Sequence, residues 1–122
     1  MKFPLRWRLF GKVPEISPGE LQRWLQEGRP VQVLDARTGL EYRQGTVHPE
    51  ARHAPVTGMP EVMEQIELDR QIPVVVLCLS GHRSRPGTRW LRERGYEAYS
   101  LRGGVAAWRL AGYPLLKPKT ER

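Results

Sequence analysis

The sequence predicts an α/β fold with a small, mostly parallel sheet of about five strands flanked by helices on both faces. Stretches with strand composition alternate along the chain with stretches of helical periodicity, and the connections between them are short. The run 73–77 is almost continuously β-branched, which is typical of a strand covered on both faces of a parallel sheet. We therefore expect this strand at the centre of the sheet.

The first half of the chain contains two signals for a helix start. The segment Ser17–Glu20 combines a hydroxyl at the N-cap, a proline at the first helical position and a carboxylate three residues on, which predicts a helix over 18–27. The apolar run that follows predicts a strand over 31–35. The segment Thr38–Glu41 repeats the capping box and begins a short helix that ends at Gly45.

The second half continues the alternation. The expected elements are a candidate short strand at 52–54, a helix at about 60–68, the central strand at 73–77, a helix at about 84–94, a last strand at 98–101 and a final helix at 105–111. Pro86 is tolerated because it lies in the first turn of its helix, and Gly95 supplies the C-cap of the same helix. Trp90 and Trp108 fall on apolar helix faces and should face the sheet.

Length and composition predict one domain at 13–114, with an extension at 1–12 and a basic, loose tail at 115–122. The 39% hydrophobic and 27% charged residues are typical of a globular protein in water. The longest apolar stretch, 74–79, is too short to cross a bilayer, so no stable membrane insertion is expected.

The first ten residues mix apolar and basic side chains, and Pro4 and the charges argue against a secretory signal peptide. The period-two alternation over 3–9 fits a half-buried edge strand or a segment on a membrane surface, with packing or partner docking the favoured interpretation. With a single cysteine the chain forms no internal disulfide and needs no oxidising compartment, so a cytoplasmic location is expected.

The candidate site lies where the central strand ends. Cys78 stands between that strand and the next helix, at the edge where parallel α/β sheets bind ligands. Unpaired backbone N–H groups and the positive end of the helix dipole favour a thiolate and bind anions at such a position. Ser80 and Gly81 suit a tight loop whose amides turn inward as an anion nest. Arg83 offers a planar donor fork for oxyanions, and Ser84 is expected to cap the helix.

The segment Cys78–Ser84 resembles the active-site loop of rhodanese domains, in which a cysteine opens a short loop closed by arginine and serine or threonine. The resemblance extends over 16–113 in the order of that family. Asp35–Arg37 is similar to its Asp-x-Arg, Glu41–Gly45 to its Glu-x-x-x-Gly, and Leu101–Trp108 to its closing Gly-Gly and tryptophan.

The chain departs from the family pattern at two places. The loop at Gly45–Ala51 is one residue longer than the usual Gly-x-Ile-x-Gly-Ala and lacks its second glycine. Pro86 and Gly87 stand where small helix formers are commoner, which predicts a bent or shifted start of the helix behind the cysteine.

The resemblance implies a sulfurtransferase of the ping-pong type. Cys78 would take sulfane sulfur from a small anionic donor such as thiosulfate, hold it as a persulfide, and pass it to a thiophilic acceptor or acceptor protein. The implied substrate-binding residues are Leu79, Ser80, Gly81, His82, Arg83 and Ser84. Asp35 and Arg37 would support the loop from the neighbouring strand. No metal or organic cofactor is required, and the histidines and Cys78 lack any recognised zinc-ligand spacing.

The net charge of +7 favours anionic ligands, but the basic residues are spread along the chain, so nucleic acid is not expected as a partner. His82 is equally explained as a cation beside the thiolate or as a solvent-facing loop residue. His48 and His53 flank the unusual loop and are most simply solvated.

The sequence leaves four alternatives to this interpretation. Cys78 could be a buried structural residue between Leu77 and Leu79, although the combination of strand, cysteine, arginine and helix start favours a site. A phosphatase or arsenate reductase of this fold has five residues between cysteine and arginine, whereas Cys78 and Arg83 have four between them. Non-catalytic rhodanese-like modules typically lack the cysteine. A persulfide relay with a protein donor stays open.

Overall fold

The structure is a computed structural model that describes residues 12–55, 58 and 61–119; the alternating segment 3–9 lies outside the described residues. The elements in chain order are β1 (Glu15–Ile16), α1 (Pro18–Gln26), β2 (Gln32–Asp35), α2 (Gly39–Gln44), β3 (Arg52–His53), α3 (Glu61–Gln65), β4 (Val74–Leu77), α4 (Arg85–Glu93), β5 (Ala98–Leu101) and α5 (Gly104–Leu110). None of the helices in the described part is long and apolar enough to cross a membrane.

All five described strands are parallel and lie in the order β1-β5-β4-β2-β3, so the predicted central strand is the middle one. Its four side chains are completely buried. Val75 and Leu77 pack with α1 and α5 on one face, and Val74 and Val76 pack with α3 and α4 on the other. The α/β fold with helices on both faces is confirmed.

The helix starts depend on local hydrogen bonds that the sequence predicts well. The Ser17 hydroxyl accepts from the Glu20 amide at 3.1 Å, and Thr38 and Glu41 form both halves of a capping box. Helix α4 begins at Arg85, next to the expected start at about 84, and Pro86 lies in its first turn.

Ser84 does not cap α4 as predicted. Its backbone angles, φ −81° and ψ −17°, are already helical, whereas a capping side chain reaches back from an extended N-cap residue. Trp90 is half-buried beneath the Arg94 guanidinium, whereas its neighbour Leu91 is completely buried.

Two features of the structure were not predicted. Strand β1 pairs Glu15 with Ser100 and Ile16 with Leu101 of β5, and two residues are too few to show a strand pattern. The tail expected to be loose is attached over 115–119. Its Leu116 amide and carbonyl pair with Thr46 at 2.7 and 2.8 Å, because the loop after α2 presents backbone groups that need partners.

Gly104 is the position where the fold is most sensitive to an added side chain. At φ +61°, alanine there would cost about 1–2 kcal/mol in conformation alone. Its Cβ would also overlap the Cys78 carbonyl and lie 2.5 Å from the Leu79 carbonyl oxygen. We expect Gly104→Ala to lower the free energy of unfolding in urea by about 3 kcal/mol.

Gly28→Ala is the matched control, since Gly28 has φ +69° and nothing within 4 Å of an added Cβ. This change should cost only the conformational part, about 1 kcal/mol. Equal losses in the two variants would contradict the close approach of Gly104 to the loop after β4.

Candidate active-site loop

Cys78 directly follows β4 and is completely buried. Its Sγ accepts a hydrogen bond from the Gly81 amide at 2.9 Å. Gly81 has φ +99°, a conformation that closes the turn on the sulfur and that side-chain-bearing residues rarely adopt. The loop therefore directs a backbone donor at the sulfur, as a site for a sulfur anion requires.

The first two carbonyl groups of the loop accept hydrogen bonds from the start of α5. The Val105 amide donates to the Cys78 carbonyl at 2.8 Å, and the Ala106 amide donates to the Leu79 carbonyl at 2.9 Å. Unpaired amides at a helix start thus satisfy the loop carbonyls. Because Gly104 has no side chain, the two segments can approach this closely.

Two buried hydroxyls lie behind the sulfur. Cys78 Sγ is 3.6 Å from Ser84 Oγ, which is 2.6 Å from Ser100 Oγ. Both serines are completely buried. The Ser84 side chain thus contacts the cysteine and β5 instead of the amides of α4.

Arg83 closes the loop, and its guanidinium pairs with a carboxylate of α2. Its Nη1 and Nη2 donate to the two carboxylate oxygens of Glu41 at 3.1 and 3.3 Å. This hydrogen-bonded pair holds the pKa of Glu41 well below its ordinary 4.5, at about 2, and raises the pKa of Arg83. The side chains are 35% and 28% exposed, so the pair lies at the rim of the site.

Asp35 and Arg37 form a buried ion pair at the end of β2. Arg37 Nε donates to Asp35 Oδ1 at 3.0 Å, and its Nη2 donates to Oδ2 at 2.8 Å. The network continues to the loop after α2, where Thr46 Oγ1 donates to Asp35 at 2.9 Å and the Gly45 carbonyl accepts from Arg37 at 2.6 Å. These residues hold that loop against the strand next to β4.

The other loop side chains face solvent. Leu79 is 47% exposed, and Ser80 Oγ lies 3.1 Å from Nδ1 of the exposed His82. His48, in the loop after α2, is half-buried, and its Nδ1 accepts a hydrogen bond from the Glu50 amide at 3.1 Å.

His53, expected to be solvated, is half-buried instead. Its Nε2 lies 2.7 Å from the Arg37 carbonyl oxygen, and its ring stacks on Tyr42 at 4.9 Å. In the described part of the chain, no three His, Cys, Asp or Glu residues converge as metal ligands.

The sequence profile of the Rhodanese-like domain family matches residues 17–111. The chain belongs to this family. A protein of Allochromatium vinosum named sulfurtransferase is 36% identical over 108 residues, which are 88% of this chain and 98% of the relative. A tRNA uridine(34) hydroxylase of Cupriavidus necator is 35% identical over 115 residues, with 86% of this chain matching 40% of that protein.

Among solved structures, the thiosulfate sulfurtransferase of Pseudomonas aeruginosa superposes on this rhodanese-like domain with a TM-score of 0.74. It is 24% identical and covers 89% of this chain and 20% of its own. At that identity the likeness supports the fold and not the substrate.

Sequence reasoning located the loop of this rhodanese-like domain but missed two side chains that contact it. Glu41 stood in a recognised motif and in a capping box, yet neither signal indicated its pairing with Arg83. Ser100 carried no signal, because a serine in a strand is unremarkable until the strand order is known.

The depressed pKa of Glu41 predicts a pH-dependent contribution to stability. A carboxylate whose folded pKa is lowered stabilises the fold above its unfolded pKa, near 4.5, and loses this as the pH falls toward 2. Because the pair is partly exposed, we expect Glu41→Gln to cost about 1 kcal/mol at neutral pH. The loss should shrink between pH 4.5 and pH 2.

Urea unfolding of the parent and Glu41→Gln at both ends of this window measures the difference. Glutamine retains an oxygen for the capping box, so the comparison isolates the charge. Glu64→Gln, at an exposed carboxylate of α3, is the control. A Glu41→Gln loss that stays constant across the window would refute the assignment to the ion pair.

Proposed function

We propose that this rhodanese-like domain is a sulfurtransferase that carries sulfane sulfur as a persulfide on Cys78. The observation that carries the proposal is the 2.9 Å hydrogen bond from the Gly81 amide to Cys78 Sγ at the carboxyl end of β4. A donor fixed on a sulfur atom stabilises its anionic form without reorganising during the reaction. The relative named sulfurtransferase, which matches over almost its entire length, supports the reaction class.

In the first half-reaction, the Cys78 thiolate attacks the outer sulfur of a donor such as thiosulfate. A sulfur–sulfur bond forms to Sγ while the bond between the two donor sulfur atoms breaks, and its electron pair leaves with sulfite. The Gly81 amide holds Cys78 Sγ in place through its hydrogen bond. Arg83, at the rim, orients the oxyanion of the donor through its planar donor fork.

In the second half-reaction, a thiophilic nucleophile attacks the outer sulfur of the persulfide. The bond to Sγ breaks, and Cys78 leaves as the thiolate from which the cycle began. No external oxidant or reductant is needed, because each step forms one new bond to the transferred sulfur and breaks one sulfur–sulfur bond. The Gly81 amide serves this step too, since Sγ regains the same negative charge.

The buried position of Cys78 requires that the rim open when a donor enters. The rim is held by the Arg83–Glu41 pair, and partly exposed pairs of this kind contribute only about 0–1 kcal/mol. An entering oxyanion can therefore replace Glu41 as the partner of Arg83 at little cost. The ion pair thus keeps the guanidinium in position between turnovers.

Thiosulfate loading tests the proposal. Incubation with thiosulfate should add one sulfur atom to the protein in intact mass spectrometry, and cyanide should remove it as thiocyanate. Cys78→Ser, which differs by one atom at the nucleophile, should neither gain the sulfur nor turn over. Loading of Cys78→Ser, or a parent that no sulfane donor loads, would overturn the proposal. Hydrolysis of para-nitrophenyl phosphate by the parent would favour the phosphatase instead.

A charge-matched pair of variants tests the role of Arg83. Arg83→Gln should lower kcat/KM for thiosulfate by about tenfold or more, because a charged donor is lost and Glu41 is left unpaired beside an anionic substrate. Arg85→Gln removes the same charge two residues on, in α4, and should change kcat/KM by less than about twofold. Equal effects would mean that only general electrostatic attraction is at work.

A further inference from the structure

The two buried hydroxyls behind Cys78 form a chain that ends on the sulfur, and we call Ser84 and Ser100 the hydroxyl dyad. Ser100 lies in β5, so the sheet fixes it independently of the loop, and its amide is bonded to the Pro14 carbonyl at 2.9 Å. In the part of the chain that the structure describes, its hydroxyl has Ser84 Oγ as its hydrogen-bond partner. The Ser84 hydroxyl in turn contacts Ser100 and Cys78.

The backbone around Ser84 leaves its side chain available for this contact. The helical conformation of Ser84 removes it from the capping role, and the Thr88 hydroxyl donates to the Ser84 carbonyl at 2.8 Å. The direction of the Ser84 O–H bond is therefore decided by its two side-chain neighbours, Ser100 and the sulfur.

The number of protons on the dyad and on the sulfur decides whether a protonated or an anionic sulfur fits better. If Ser100 donates to Ser84, the Ser84 proton is free to point at Cys78 Sγ, and both hydroxyl protons have an acceptor when the sulfur is an anion. If the sulfur keeps its proton, three protons share the two contacts, and one is left buried without an acceptor. The fully satisfied arrangement is the one with an anionic sulfur.

We propose that Ser100 is a positioning residue for sulfur transfer: it orients the Ser84 hydroxyl so that this hydroxyl donates to the anionic sulfur of Cys78, as thiolate and as persulfide. The inference rests on the proposed function in taking Cys78 as the reactive sulfur. It adds a second donor to the one that the Gly81 amide supplies. Ser100 acts through Ser84 and does not touch the substrate.

Charged groups also lie in the loop of Cys78 and on the neighbouring segments of the fold. They are Arg83 and the exposed His82 in its own loop, Glu41 of α2, the buried Asp35 and Arg37 at the end of β2, and Arg102 directly after β5. A Ser100→Ala change leaves all of them in place. Any change in the ionisation of Cys78 in this variant therefore reports on the hydroxyl.

The ultraviolet absorbance of the thiolate, followed against pH, tests the inference without requiring any reagent to reach the buried sulfur. The chain has one cysteine, so the difference from Cys78→Ser gives the titration of Cys78 alone. We expect Ser100→Ala to move the midpoint upward by about one pH unit. Ser84→Ala should move it by a similar amount, and the double variant should show little further shift because Ser100 acts through Ser84.

Ser100→Thr retains the hydroxyl in β5 and should keep the parental midpoint, which separates loss of the hydroxyl from disturbance of the strand. A midpoint in Ser100→Ala indistinguishable from the parent, or shifts that add in the double variant, would overturn the inference. Thiosulfate loading is measured separately. If the midpoint shifts but no donor loads the protein, the proposed role of the hydroxyl dyad stands and the sulfurtransferase proposal fails.

Discussion

The candidate site depends above all on the contact between the start of α5 and the two carbonyl groups that follow β4. The Val105 and Ala106 amides hold the Cys78 and Leu79 carbonyls, which fixes the first two peptide groups of the loop, and the next amide along the chain, that of Gly81, donates to the sulfur. Because a trans peptide group is planar, these contacts direct the Leu79 and Ser80 N–H groups away from α5, and the Gly81 amide follows on the next peptide group. The close approach exists because Gly104 places no Cβ between the two segments.

Around that loop, the neutral polar groups lie at the sulfur and the charged guanidinium lies at the rim. The groups that contact the sulfur are uncharged, namely the Gly81 amide, which donates to it, and the Ser84 hydroxyl, whereas the Arg83 guanidinium lies at the rim with Glu41. Neutral donors stabilise a sulfur anion without trapping it in a tight ion pair, which suits the proposed role of Cys78 as a nucleophile and then a leaving group. The rim guanidinium is partly solvated and can exchange one anionic partner for another.

Local signals predicted the central strand, two capped helices and the position of Cys78, because each arises from residues within a few positions of one another. The features that escaped prediction join distant parts of the chain. Glu41 and Arg83 are separated by 42 residues, and the partner of Thr46 is Leu116. Such pairs follow from strand order and loop course, which periodicity in a single sequence does not specify. Local signals also failed for Ser84, because its side chain contacts Ser100 of the neighbouring strand instead of the amides of its own helix.

We expect the sulfur of Cys78 to be held by a backbone amide and a hydroxyl at the end of β4. A crystal structure of thiosulfate-treated protein tests this most directly. We expect one additional sulfur atom covalently attached to Cys78 Sγ, with the Gly81 amide and the Ser84 hydroxyl still directed at the cysteine sulfur. An unmodified Cys78 in protein exposed to excess donor, or a persulfide around which the Gly81 amide points away, would contradict it.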